Sequence, residues 1–188
     1  MSPTGIIIFL VILAVLVFLA ITSYNSLISL KVKVTEAASD IDVQLKRRYD
    51  LIPNLIETVK GSSKFEQETM TAVIEARSRA MGVTGLGSDK IAAENQLQGA
   101  LGKFFAVAES YPDLKSNASY LQLQQELTNT EDRILSARRF YNQVVGDYNI
   151  SQDSFPTLLF KGLAKASKAP FFELENPAEE RKNVQVKF

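Results

Sequence analysis

The sequence predicts an all-α protein in which an N-terminal transmembrane helix continues into the long first helix of an antiparallel four-helix bundle. Three observations carry that expectation. An uncharged apolar run opens the chain, apolar residues recur in steps of three and four through most of the remainder, and no segment reads convincingly as a strand.

The opening run is GIIIFLVILAVLVFLAIT, residues 5 to 22. It is apolar on every face, and as a helix it would span roughly 27 Å, close to the hydrocarbon thickness of a bilayer. A cleaved signal peptide would begin with basic residues and end on a small-x-small motif, whereas this run is preceded by MSPT and left through LAITSYNS. We therefore read an uncleaved anchor. The first basic residues are Lys31 and Lys33, then Lys46, Arg47 and Arg48, all after the span, so the positive-inside rule favours an external N-terminus and a cytoplasmic body. Tyr24 falls where an interfacial aromatic belongs.

Beyond the anchor, neither Gly nor Pro interrupts the chain before Pro53. Leu27, Leu30, Val34, Ala37, Ile41, Leu45, Tyr49, Ile52, Ile56 and Val59 mark one helical face, which predicts a single rod ending near Gly61. Ser63 with Glu66 fits a capping box for a second helix reaching about Met81. The glycine-rich GVTGLGS breaks it, and Ser88 then caps a third helix that ends at Tyr111-Pro112. Asn117 caps a fourth, carrying Tyr120, Leu123, Leu127, Ile134, Tyr141, Val144 and Tyr148. Residues from Asn149 onward are irregular, with room in SFPTLLFKGLAKA for one short helix. The organisation expected is an extension (residues 1–4), an anchor (5–23), a helical bundle (24–149) and a tail (150–188).

At 188 residues there is room for one ordinary domain with appendages. Twenty-one basic residues balance twenty-one acidic ones, so no global field draws the chain to nucleic acid. The chain has neither cysteine nor histidine, which removes thiol nucleophiles, imidazole bases, Cys/His zinc sites and Glu-x-x-His diiron ligands. No cofactor is expected.

Within KRRYDLIPNLIETVKG (residues 46–61), Pro53 removes a helical hydrogen bond and presses on the carbonyl of Tyr49, predicting a kink between the two. Arg48 falls at the edge of the apolar stripe. On the fourth helix, Glu131 and Arg138 border the stripe, and charges so placed need partners because an unpaired buried charge is costly. Arg48 or Arg138 with Glu131 is the expected ion pair, structural in purpose. Val43, Leu51 and Leu55 lie off the stripe of the first helix and form a candidate face for self-association or a partner. In the tail, Phe171, Phe172 and Phe188 read either as a strap packed on the bundle or as a docking peptide.

The chain also resembles a known family. YNSLISLKVKVTEAASDIDVQLKRRYDLIPNLIETVKG (24–61), VIEARSRA (73–80), YPDLKSNASYLQLQQELTNTEDRILSARRFYNQVVGDYN (111–149) and the FP and FFE of the tail are similar to the LemA family of bacterial membrane-anchored proteins. The resemblance implies a single-pass segment with an all-α body, no established enzymatic activity and therefore no catalytic residues to carry over. A related protein of magnetosome-forming bacteria is associated with organelle membranes. The function expected is a non-catalytic scaffold or adaptor that self-assembles or recruits another membrane protein. The alternative is a bundle that binds a small ligand or metal through carboxylates.

Overall fold

Between Gly5 and Pro53 no residue breaks a helix, and α1 forms as one element from Pro3 to Lys60. The computed structural model describes residues 3–61 and 65–172. The Ser63 cap and Phe188 lie outside them. Large apolar side chains from Ile6 to Leu19 are exposed all around the first part of α1. This helix is long and apolar enough to cross a membrane, and none of its apolar window is covered by protein. At its far end Thr22 and Ser23 turn their hydroxyls back onto the carbonyls of Phe18 and Leu19, at 3.0 and 2.6 Å. Those hydroxyls are satisfied by the helix's own backbone.

Among the described residues four further α-helices follow: α2 (Gln67–Gly82), α3 (Ser88–Ala108), the single turn α4 (Pro112–Lys115) and α5 (Ala118–Asp153). No strand occurs among the described residues. Ser88 is the first residue of α3, with Gly87 at the cap position, where the sequence places the cap on Ser88 itself. Asn117 does cap α5, its Oδ1 accepting the backbone N–H groups of Ser119 and Tyr120 at 3.0 and 3.2 Å. α5 runs on to Asp153, past the expected start of the tail at 150, and among the described residues after it the one helical element is a short 3-10 turn, Thr157–Leu159, where the spacing left room for a short helix. Pro156 and Gly162 punctuate the stretch.

The described residues divide into two compact units, 3–40 with 139–171 and, in the second, those from 41 to 138 with Phe172. In the first, Leu27 of α1 is buried with Tyr148 of α5 and Ala164, and Tyr24, Ile28 and Val34 pack against them. The segment after α5 is tied back to that helix. Asn149 donates to the carbonyl of Ala169 and accepts its N–H, both at 2.9 Å, and the Tyr141 hydroxyl donates to the carbonyl of Pro170 at 2.9 Å.

The second unit holds the larger core. Ile41, Leu45, Ile52, Leu55 and Val59 of α1 are buried, as are Val73 and Ala80 of α2, Leu97 and Phe104 of α3, and Leu127 and Ile134 of α5. Each large aliphatic side chain so buried contributes roughly 2 kcal/mol. Phe65 stacks at a tilt on Phe104 and Tyr111, with ring centres 5.0 and 5.2 Å away.

Candidate functional site

Charged residues on the apolar stripes of three helices meet inside the second unit. Arg48 is only 2% exposed. Its guanidinium donates through one terminal nitrogen to Glu131 of α5 at 2.6 Å and through the other to Glu94 of α3. The next residue on α1, Tyr49, donates its hydroxyl proton to the other oxygen of Glu94. Lys90, one turn before Glu94 on α3, completes the set. Its ammonium lies 2.9 Å from the Tyr49 hydroxyl, 2.7 Å from the carbonyl of Ala80 and 3.1 Å from Glu94, and it stands 5.3 Å from the centre of the Tyr49 ring.

Two carboxylates, a guanidinium and an ammonium thus neutralise one another, which is what makes their burial tolerable. Lys90 donates to the Tyr49 hydroxyl and the Ala80 carbonyl and is ion-paired with Glu94, so its ammonium is engaged within the cluster. Burial, together with the adjacent Glu94 carboxylate, holds the Tyr49 phenol well above its usual ionisation range. It therefore stays a donor rather than a base. Each of these contacts is made to the protein itself, and the cluster acts as a polar clamp joining α1, α3 and α5. Among the described residues no group of three His, Cys, Asp or Glu could hold a metal ion.

Beside the clamp, α2 solves a problem that Pro53 creates. Pro53 has no N–H, so the carbonyl of Tyr49 lacks its helical donor. Arg77 supplies one through Nε at 2.8 Å.

Glu131 also faces outward. Together with Asp132 it edges a groove of about 230 Å3 whose other walls include Leu101, Gly102, Phe105 and Leu127. Gly102 opens this space, since a Cβ added there meets nothing within 4 Å.

The sequence-derived candidates distribute unevenly over this geometry. Arg48 and Glu131 come together. The guanidinium of Arg138 lies over the Phe172 ring, 4.4 Å from its centre. Phe172 is buried, so it straps the second unit and is withdrawn from any docking role, while Phe171 is partly exposed in the first unit. Leu55 is fully buried and cannot belong to a partner face. It stands about 60° from the stripe centre, and a helix packed on more than one side buries that wide an arc. Val43 is exposed and Leu51 half-buried. Sequence reasoning missed Glu94, Lys90 and Arg77. Glu94 carried a signal, three residues after Ile91 and three before Leu97, which puts a carboxylate on the centre of an apolar stripe.

Known proteins are similar to this chain in sequence. The LemA family model matches residues 37–188. A protein LemA of Metamycoplasma hominis is 26% identical over 153 residues, covering 78% of this chain and 70% of that protein. Magnetosome protein MamQ 2 of Paramagnetospirillum magneticum is 24% identical over 194 aligned positions, covering 89% and 71%. Magnetosome protein MamQ of Magnetospirillum gryphiswaldense is 22% identical, covering 82% and 66%. None of these names carries an enzymatic activity.

Proposed function

The chain belongs to the LemA family, and on that premise we propose a membrane-anchored, non-catalytic scaffold or adaptor that self-assembles or recruits other membrane proteins. One observation carries the reading. The apolar span and the first packed layer share a single helix, with Leu27 already buried about 8 Å along the axis beyond Thr22. A body that begins packing so close to the bilayer is held at its surface, where it meets other membrane proteins. The polar clamp supports a non-catalytic role, because Arg48, Glu94, Tyr49 and Lys90 are buried and bonded to one another, with the Arg48 Nε alone of the guanidinium nitrogens left without a partner. Exposed apolar side chains such as Val43, Ile74 and Leu135 offer contact area.

The same reading puts the body on the cytoplasmic side, since Lys31 and Lys33 come after the span. A reporter fused after Phe188 and active on only one side of the membrane tests this. For assembly, the measurement is the protein mass of the full chain purified in mild detergent. Multiples of the 20.8 kDa chain, or a stoichiometric membrane partner, are expected. A strict monomer that co-purifies with nothing overturns the reading.

The groove supports a second reading, a binding module for a small ligand with an apolar body and a cationic group facing Glu131 and Asp132. Metal analysis together with a thermal-shift screen tests it. A Glu131→Gln variant that loses stability without losing any bound species would dispose of it.

A further inference from the structure

The segment between α5 and Ala164 is well ordered yet turns its largest apolar side chains outward. Backbone hydrogen bonds knit it together, from Leu158 to Ser154 at 2.8 Å, Phe160 to Thr157 at 2.9 Å, Ala164 to Phe160 at 3.0 Å and Ala166 to Lys161 at 3.0 Å. Lys168 and Lys161 both reach Asp153 at the end of α5, at 2.9 and 3.6 Å. Despite this bracing, Phe155 is 81% exposed, Leu163 75% and Leu159 67%, with Leu158 also exposed. An ordered loop in water has no reason to present four such residues within nine positions.

Its location supplies the reason. Ala164 packs on Leu27, with Tyr24 and Ile28 beside it. Those residues form the turns of α1 immediately after the apolar span, so the loop stands within the first unit where the helix leaves the hydrocarbon. The charge fits the same surroundings. Between Ile150 and Phe172 there are three lysines, at 161, 165 and 168, and a single acid, Asp153. Lys161 and Lys168 are turned to Asp153, which leaves the Lys165 ammonium for anionic lipid beside apolar side chains, a combination that matches the boundary between headgroups and acyl chains.

We propose that residues 154–165 are a second membrane contact, inserting Phe155, Leu159 and Leu163 into the interfacial layer of the leaflet that the anchor exits. The proposal deepens the membrane-anchored reading and rests on it. A helix alone leaves the body able to turn about its axis. A second contact beside the span fixes which side of the first unit faces lipid.

The chain contains no cysteine, so a single introduced thiol labels one position. Full-length Phe155→Cys, Leu159→Cys and Leu163→Cys proteins, with Leu13→Cys in the span and Lys103→Cys at an exposed position of α3 as references, carry an environment-sensitive fluorophore. Each is reconstituted into vesicles of phosphatidylcholine with or without phosphatidylglycerol. The three loop labels should be quenched by a nitroxide held near the lipid headgroup and be several-fold less accessible to aqueous iodide than the Lys103 label. Replacing Lys165 with Gln, which leaves the Asp153 ion pairs of Lys161 and Lys168 intact, should reduce the extra lipid quenching that phosphatidylglycerol produces. Loop labels as open to iodide as the Lys103 label, while the Leu13 label is lipid-quenched, overturn the proposal and leave the anchor standing. Loop labels shielded from iodide but untouched by the lipid nitroxide also overturn it, because protein then covers the patch. Failure of lipid quenching at Leu13 overturns the anchor and the loop together.

Discussion

Arg77 donates its Nε–H to the backbone carbonyl of Tyr49 at 2.8 Å, the carbonyl that Pro53 deprives of a helical donor. A proline inside a helix normally leaves that oxygen to water or to a distortion of the backbone. Here a side chain from α2 takes the place of the missing N–H and ties α2 to α1 at the weakest point of α1. Replacing Arg77 with Met should cost about 1–3 kcal/mol, because a partly buried acceptor is left unpaired. Pro53→Ala returns an N–H to the same oxygen, so the Arg77 substitution should cost less in that background. A double-mutant cycle from unfolding of the full chain in detergent should give a coupling of about 0.5–3 kcal/mol. Additive effects of the two substitutions would sink this account.

The clamp predicts a larger effect at Arg48. Arg48→Met strands the Glu94 carboxylate in the core with Lys90 as its remaining cationic partner, and should destabilise the second unit by roughly 3–5 kcal/mol. Glu131→Gln should cost much less, because Glu131 is about a third exposed and its amide oxygen can still accept from Arg48. Thermal unfolding followed by circular dichroism checks the order. Equal losses would show that Glu131, not Glu94, is the important partner.

Tyr49 predicts an alkaline limit. Its ionisation in the folded protein is displaced upward from the ordinary value of 10.0, first by burial and then by Glu94. The folded state therefore favours the protonated phenol, a stabilisation fully present below about pH 10 and lost progressively as pH rises above it. Tyr49→Phe should be less stable at neutral pH, since Lys90 and Glu94 each lose a partner. Its stability should nevertheless decline less steeply above about pH 10. Parallel stability curves for the two proteins above that pH would count against the assignment.

Gly99 and Gly102 sit inside α3, and a Cβ added at either meets nothing within 4 Å. Alanine at each position should stabilise the helix by about 0.5–1 kcal/mol, visible as a raised Tm. A fall in Tm for Gly102→Ala alone would mean that the groove wall tolerates no added methyl.

The loop after α5 shows where the sequence was readable and where it was not. Its composition declared it irregular, with Pro156 and Gly162 as punctuation, and the short turn at Thr157–Leu159 is what remained of the helix the spacing allowed. Nothing in the local pattern says that Ala164 docks on Leu27, which lies far earlier in the chain. Glu94 was the opposite case. A carboxylate centred on an apolar stripe announces a buried partner, by the reasoning that singled out Glu131.

By itself the sequence determined the four long helices, their order and an N-terminal stretch long and apolar enough to cross a membrane, but not the single turn α4, because periodicity, glycine and proline act within a few residues of where they stand. Only the tertiary structure decided that Arg48 shares its guanidinium between Glu94 and Glu131, that Arg77 answers Pro53, that Phe172 lies beneath Arg138, and that Leu55 is core rather than contact surface. Those outcomes depend on which helices pack together and in what register. An apolar stripe states that a partner is needed without saying which residues of that partner will meet it.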